Sequence, residues 1–145
     1  MSRTPREVAE LVRRMVAGED VAFADLFAAD GVIAYPFAGP GHPEELAGRD
    51  AIRSYFSGMG QARQLFEQEG VDQVIRETDD PEVVVTEITH HGRSRVTDSP
   101  YRLPAIAVIR VRDGEIVRYD DYMSPVDIAR MLGRTGELAA ALSST

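Results

Sequence analysis

The dipeptide Asp113-Gly114 stands between two runs of strand-forming residues, and it is the strongest constraint on how this chain can fold. A two-residue Asp-Gly connection favours positive φ at both positions, and that backbone twist matches an antiparallel hairpin. The arms are residues 101–112, rich in Ala, Val and Ile, and the segment carrying Ile116, Val117, Tyr119, Tyr122 and Met123. The second arm also holds Asp120 and Asp121 side by side. Because side chains alternate along a strand, the two carboxylates point to opposite faces and at most one reaches a shared interior. A carboxylate lining an apolar cavity is poorly hydrated, so its pKa rises toward the range useful for proton transfer near neutrality. In the alternative reading both aspartates lie at a strand end in contact with water.

The rest of the chain supplies helices first and strands afterwards. Thr4-Pro5-Arg6-Glu7 is a capping box with proline at the first helical position, and Val8, Leu11, Val12, Met15 and Val16 follow at helical spacing to about Ala17. Asp20 can cap a second short helix through Phe27. Gly31 then opens a strand over 32–37, in which Pro36 marks an edge or an end. Residues 38–43, Ala-Gly-Pro-Gly-His-Pro, hold too many breakers for regular structure. A third helix begins at Asp50, with Ile52, Tyr55, Phe56 and Met59 on one face. Strand patterns cover 65–78 and 83–90, and the polar run 91–100 reads as a hairpin loop before the Asp-Gly hairpin. Ser124-Pro125-Val126-Asp127 starts a last helix that Gly133 ends, and 137–142 can add a final turn. This order predicts one α+β domain over 1–145, three N-terminal helices covering one face of a curved, mainly antiparallel sheet. The space between sheet and helices is a place for a small ligand.

Charge and composition exclude some partners. A net charge of −8 disfavours nucleic-acid phosphates and anionic membranes, and no apolar run approaches membrane-spanning length. The chain has no cysteine and only three histidines, so thiolate zinc sites and disulfides are impossible and no metal is expected. With no signal-peptide core at the N-terminus, a cytoplasmic protein is the expectation.

Taken together, the helix pair, short strand, loop, Gly48-Arg-Asp-Ala-Ile52 helix start and the closing Gly-Glu-Ile-Val-Arg-Tyr-Asp-Asp-Tyr-Met-Ser-Pro resemble the SnoaL-like branch of the NTF2-like superfamily. That branch includes ketosteroid isomerases, polyketide cyclases, limonene-epoxide hydrolases and phenazine-biosynthesis A/B proteins. The resemblance covers nearly the whole chain and implies a cone-shaped α+β barrel, a homodimer packed through the sheet, and a ligand inside the cone. It aligns Asp121 with a catalytic carboxylate of the epoxide hydrolases and phenazine proteins, so Tyr119, Asp121 and Met123 face the pocket and Asp120 faces away. Counting straight back through the hairpin turn puts Ile106 and Val108 on the face of Asp121. The family instead favours Leu103, Ala105, Ala107 and Ile109, which requires a β-bulge.

Other family positions depart from the pattern. The general-base aspartate of ketosteroid isomerases corresponds to Tyr35, before Pro36, and their oxyanion-hole aspartate falls near Ala107. The epoxide-hydrolase Arg and second Asp correspond to Ile88 and His90. What remains is Asp121 as the proton carrier, with His90 as its partner and Tyr35 as a hydroxyl donor. Tyr35 and Tyr119 are expected to hydrogen-bond a substrate and Phe37, Tyr55 and Met123 to shape its cavity, with Phe56 and Met59 as further apolar wall or simply core. His90 reads equally as a solvated strand end beside His91, and His42 of the Pro/Gly loop either guards the pocket mouth or is simply an exposed loop residue. Thr97-Asp98-Ser99 has no neighbouring base and receives no role. The expected activity is cofactor-independent acid–base chemistry on a small, largely apolar carbonyl-bearing metabolite, of cyclase, isomerase or dehydratase type. The alternative is a non-catalytic ligand-binding or dimerisation module of the same fold.

Overall fold

In the computed structural model, which describes residues 2–144, α1 spans Pro5–Val16 and begins as its capping box requires. The Glu7 N–H donates to the Thr4 hydroxyl and the Thr4 N–H to the Glu7 carboxylate. Val8, Ala9 and Val12 bury the inner face of this helix. The expected second helix is a single 3₁₀ turn, Phe23–Leu26, because the chain enters β1 (Phe27–Ala34) immediately after it. β1 therefore starts five residues before the expected Val32, and Pro36 lies beyond its end. A short strand, β2 (Glu45–Ala47), pairs antiparallel with β1 after the Pro/Gly loop, an edge that periodicity did not reveal. The remaining elements are α2 (Arg49–Gly58), a 3₁₀ stretch (Gly60–Leu65), β3 (Phe66–Glu77), β4 (Val83–Ser94), β5 (Ser99–Arg112), β6 (Glu115–Met123), α3 (Pro125–Leu132) and α4 (Thr135–Ser143).

The strands form one curved, open sheet in the order β2-β1-β6-β5-β4-β3, antiparallel throughout except for the parallel β1–β6 pair. The polar run expected to be a long loop instead continues the β4–β5 ladder out to Ser94 and Ser99, leaving only 95–98 as the turn. Polar side chains are no obstacle there, since backbone hydrogen bonds hold the ladder and Arg93 pairs with Asp98 at 3.0 Å. Gly31 sits inside β1, at a shift of its register against β6. A Cβ at Gly31 would lie 2.7 Å from the Ile116 carbonyl oxygen, so this close backbone approach needs glycine.

The Asp113-Gly114 turn forms as expected, with φ of 53° and 79° and Arg112 opposite Glu115. Directly beyond it the register shifts: Val111 faces Ile116 and Arg110 faces Arg118, which leaves Val117 as an extra residue in β6. That bulge places Ala107 opposite Asp121 and Ile109 opposite Tyr119, the register the family resemblance favours over the straight count.

Two apolar clusters hold the helices to the sheet. In the larger, α1 and the first 3₁₀ turn pack on Val84, Ile109, Ile116 and Phe27. In the smaller, α3 lays Met131 over Tyr101 and Leu103, and the buried Ser94 hydroxyl donates to the Met131 carbonyl at 2.6 Å. No helix among the described residues is long and apolar enough to cross a membrane.

Candidate active site

β6 ends at Met123 and turns at once into α3, whose first turn is capped by the Ser124 hydroxyl accepting from the Asp127 N–H. One continuous segment thus supplies both the floor of a cavity, through Asp121 and Met123, and its wall, through Ile128 and Leu132. Leu138 and Ala141 of α4 extend that wall. The opposite side is the loop after β1 together with Tyr55 from α2. The cavity measures about 510 Å³, within the range of small-molecule sites. The N-terminal helices expected to cover the sheet do not close this space by themselves; α3, on the same face, and α4 complete the enclosure.

Asp121 lines this space, and among the described residues no hydrogen bond or ion pair holds it. Burial alone pushes its carboxyl up to about 7. Arg118 pairs with Asp120 at 3.1 Å and Arg110 with Asp80 and Glu82, while Arg134 lines the cavity itself. Asp120 accordingly lies on the other face, as alternation requires. Tyr35, the first residue after β1, is 6 % exposed and lines the cavity. Its hydroxyl is pushed well above the usual tyrosine range, first by burial and then by Asp121 and Tyr55. It stays protonated and able to donate.

Of the other expected residues, Phe37, Tyr55 and Met123 line the same cavity. Phe37 does so from its mouth, 62 % exposed, with its ring packed edge-on against Tyr122 at 5.3 Å. Tyr119 lies beneath, inside an aromatic cluster with Phe23 and Phe27, and burial followed by Asp121 raises its hydroxyl. Phe56 packs on Phe23 and Met59 is largely exposed, so neither forms the wall.

His90 is not brought to Asp121. It shares the helix-covered face, but β4 is two strands from β6, about 10 Å in the strand-to-strand direction alone. His90 Nδ1 instead meets the Tyr101 hydroxyl at 3.2 Å, and burial, then Arg63 and His91, lowers its pKa. A strand-end histidine therefore ends up within the structure, neither in the solvated loop nor in the cavity.

His42, read from the sequence as a pocket-mouth guard or an exposed loop residue and given no chemical role, belongs to this site. It lines the cavity, its ring edge packs on Tyr35 with centroids 4.5 Å apart, and its Nε2 lies 3.4 Å from the Tyr55 hydroxyl. Its Nδ1 lies 2.8 Å from the Pro43 carbonyl oxygen. The available signal was a histidine in a segment stiffened by Pro36, Pro40 and Pro43. Periodicity says nothing about such loops. Among the described residues no three His, Asp or Glu side chains come together as a metal-binding group.

The SnoaL-like domain family matches residues 8–119. The chain is 30% identical over 112 residues to the uncharacterized protein YesE of Bacillus subtilis strain 168, covering 77% of this chain and 75% of that one. Among solved structures it is similar to a candidate isomerase from Bacillus subtilis, at 26% identity and a TM-score of 0.73, covering 88% of this chain and 94% of the other. It shares its fold with a candidate polyketide cyclase from Pseudomonas putida KT2440, at 22% identity and a TM-score of 0.67, covering 90% and 98% of the two chains.

Proposed function

Because this chain belongs to the SnoaL-like domain family, we propose that it is an acid–base enzyme of cyclase or isomerase type that needs no cofactor, acting on a small, largely apolar, carbonyl-bearing metabolite. The observation that carries this reading is Asp121, raised to about 7 by burial in a largely apolar cavity, with no hydrogen-bond or ion-pair partner among the described residues. A carboxyl at that value is half ionised near neutrality, so both the accepting and the donating form are at hand. As the carboxylate it removes a proton from the carbon beside the substrate carbonyl, and the C–H electron pair becomes the enolate. Tyr35, protonated and in the same cavity, donates to the developing oxyanion. In a β,γ-unsaturated ketone the proton held by Asp121 then returns to the γ carbon, which is isomerisation; otherwise the enolate carbon attacks a second carbonyl, whose oxygen takes the C=O electron pair and the proton from Asp121, which closes a ring.

The named isomerase and cyclase among the similar structures support the class of reaction. Because Arg118 and Arg110 are engaged with other carboxylates, the arrangement that would favour a purely structural Asp121 is not formed. The test is α-proton exchange of enolisable cyclic ketones in deuterated water, followed by NMR. Wild-type protein is expected to accelerate exchange and Asp121→Asn to lose at least 100-fold of that acceleration. A variant that retains the rate removes the assignment of Asp121.

The same reading includes a second copy of the chain, docked on the uncovered face of the sheet. There Val74 of β3 and Ile106 of β5 are 46% and 45% exposed on either side of Glu87 of β4, beside the Arg76–Glu87 and Arg118–Asp120 ion pairs.

A further inference from the structure

Two contacts of His42 fix which way a hydrogen bond runs at the cavity wall. The Pro43 carbonyl oxygen, 2.8 Å from Nδ1, can only accept, so Nδ1 carries the ring proton. A lone pair on Nδ1 would face the carbonyl lone pairs at that distance and repel them. In the neutral ring Nε2 is then a bare acceptor, and the Tyr55 hydroxyl 3.4 Å away is the group that donates to it. With its one proton turned toward His42, the Tyr55 oxygen presents only lone pairs to the cavity. The ring is held in this pose from two more sides, by Tyr35 at 4.5 Å and by a loop closed at its neck through the Tyr35 N–H and the Glu44 carbonyl. Among the described residues the Tyr35 hydroxyl meets no such acceptor, so it donates into the cavity that Asp121 also lines.

We infer that Tyr55, oriented by His42, reads a hydroxyl group on the ligand, so that the cavity selects hydroxy-carbonyl compounds with an apolar body over simple ketones. A ligand hydroxyl donates to the Tyr55 oxygen, whereas an ether at the same place would set its own lone pairs against those of Tyr55. The inference rests on the functional reading only for placing the ligand carbonyl near Asp121 and Tyr35; the donor–acceptor direction at Tyr55 follows from the geometry of His42.

The probe is a hydroxytetralone and the methoxytetralone of the same substitution, with affinities measured by calorimetry under conditions where the phenol is un-ionised. Wild-type protein is expected to bind the hydroxy compound about tenfold more tightly. Tyr55→Phe removes that preference by losing affinity for the hydroxy compound. His42→Ala also narrows it, by a different route: the freed Tyr55 proton can donate to the ether, so methoxytetralone gains affinity, a response that a merely structural histidine would not give. ¹⁵N NMR of the imidazole is expected to show the proton on Nδ1. Equal affinities in wild type, failure of a folded protein to bind either ketone, persistence of the preference in Tyr55→Phe, or a proton on Nε2 each overturn the inference. Wild-type protein that shows the hydroxyl preference yet does not accelerate ketone exchange removes the functional reading alone.

Discussion

At Asp121 burial acts without opposition, and this has a consequence for stability as well as for chemistry. Unfolded, the carboxyl ionises near its ordinary 3.8; folded, it holds its proton up to about 7. Between those values the folded state binds more protons than the unfolded one, so stability falls as pH rises through the window and levels off above it. The full window corresponds to about 4 kcal/mol, an upper bound because solvent reaches the cavity. Asn cannot ionise, so the unfolding free energy of Asp121→Asn should gain on wild type from about pH 4 to about pH 7 and then run parallel to it. Denaturant titrations across that range check this, and a gap that does not widen would mean that Asp121 ionises normally. The direction of Asp121 was legible through the family pattern in Tyr-Asp-Asp-Tyr; the depth of its burial was not, because residues 125–141 decide it and they belong to other elements.

Among the elements, β6 depends on two local irregularities. The Val117 bulge sets which face receives Asp121, since a one-residue shift in pairing moves every side chain to the other side of a sheet. Gly31 allows β1 to approach β6 beside that bulge. Gly31→Ala would drive a methyl against the Ile116 and Ala28 carbonyl oxygens, at 2.7 and 3.1 Å, with backbone on both sides and nothing flexible to yield. The expected cost is about 1–3 kcal/mol, read as a shift of the urea midpoint at unchanged slope. An unchanged midpoint would show that the two strands are not held so close. The capping box of α1, the Ser124 cap of α3 and the Asp-Gly turn were readable because their chemistry is complete within four residues. The bulge depends on how two strands meet, so sequence spacing left both registers open until the family pattern favoured one. β2 was missed because three half-polar residues carry no period.

For the molecule as a whole, the proposed second copy on the uncovered sheet face gives the prediction that Ile106→Glu yields a monomer while wild type is a dimer, measured by light scattering behind size exclusion. Burying a carboxylate in an apolar contact costs several kcal/mol, more than a modest interface can absorb. A wild-type monomer would remove the proposal, as would a dimer unaffected by the charge. The chain by itself determined its class and order: helix caps, a Pro/Gly loop, a long hairpin and a closing helix, each specified by turn chemistry and periodicity acting over a few residues. It also determined that a carboxylate pair would be split between two faces. Only the tertiary structure decided which histidine joins that carboxylate's cavity. His90 was the candidate by alignment, but it stands two strands away, while His42 arrives from a loop whose path is set by its contacts with Tyr35, Pro43 and Tyr55. Loop residues meet distant partners through closure of the whole fold, and no local pattern encodes that meeting.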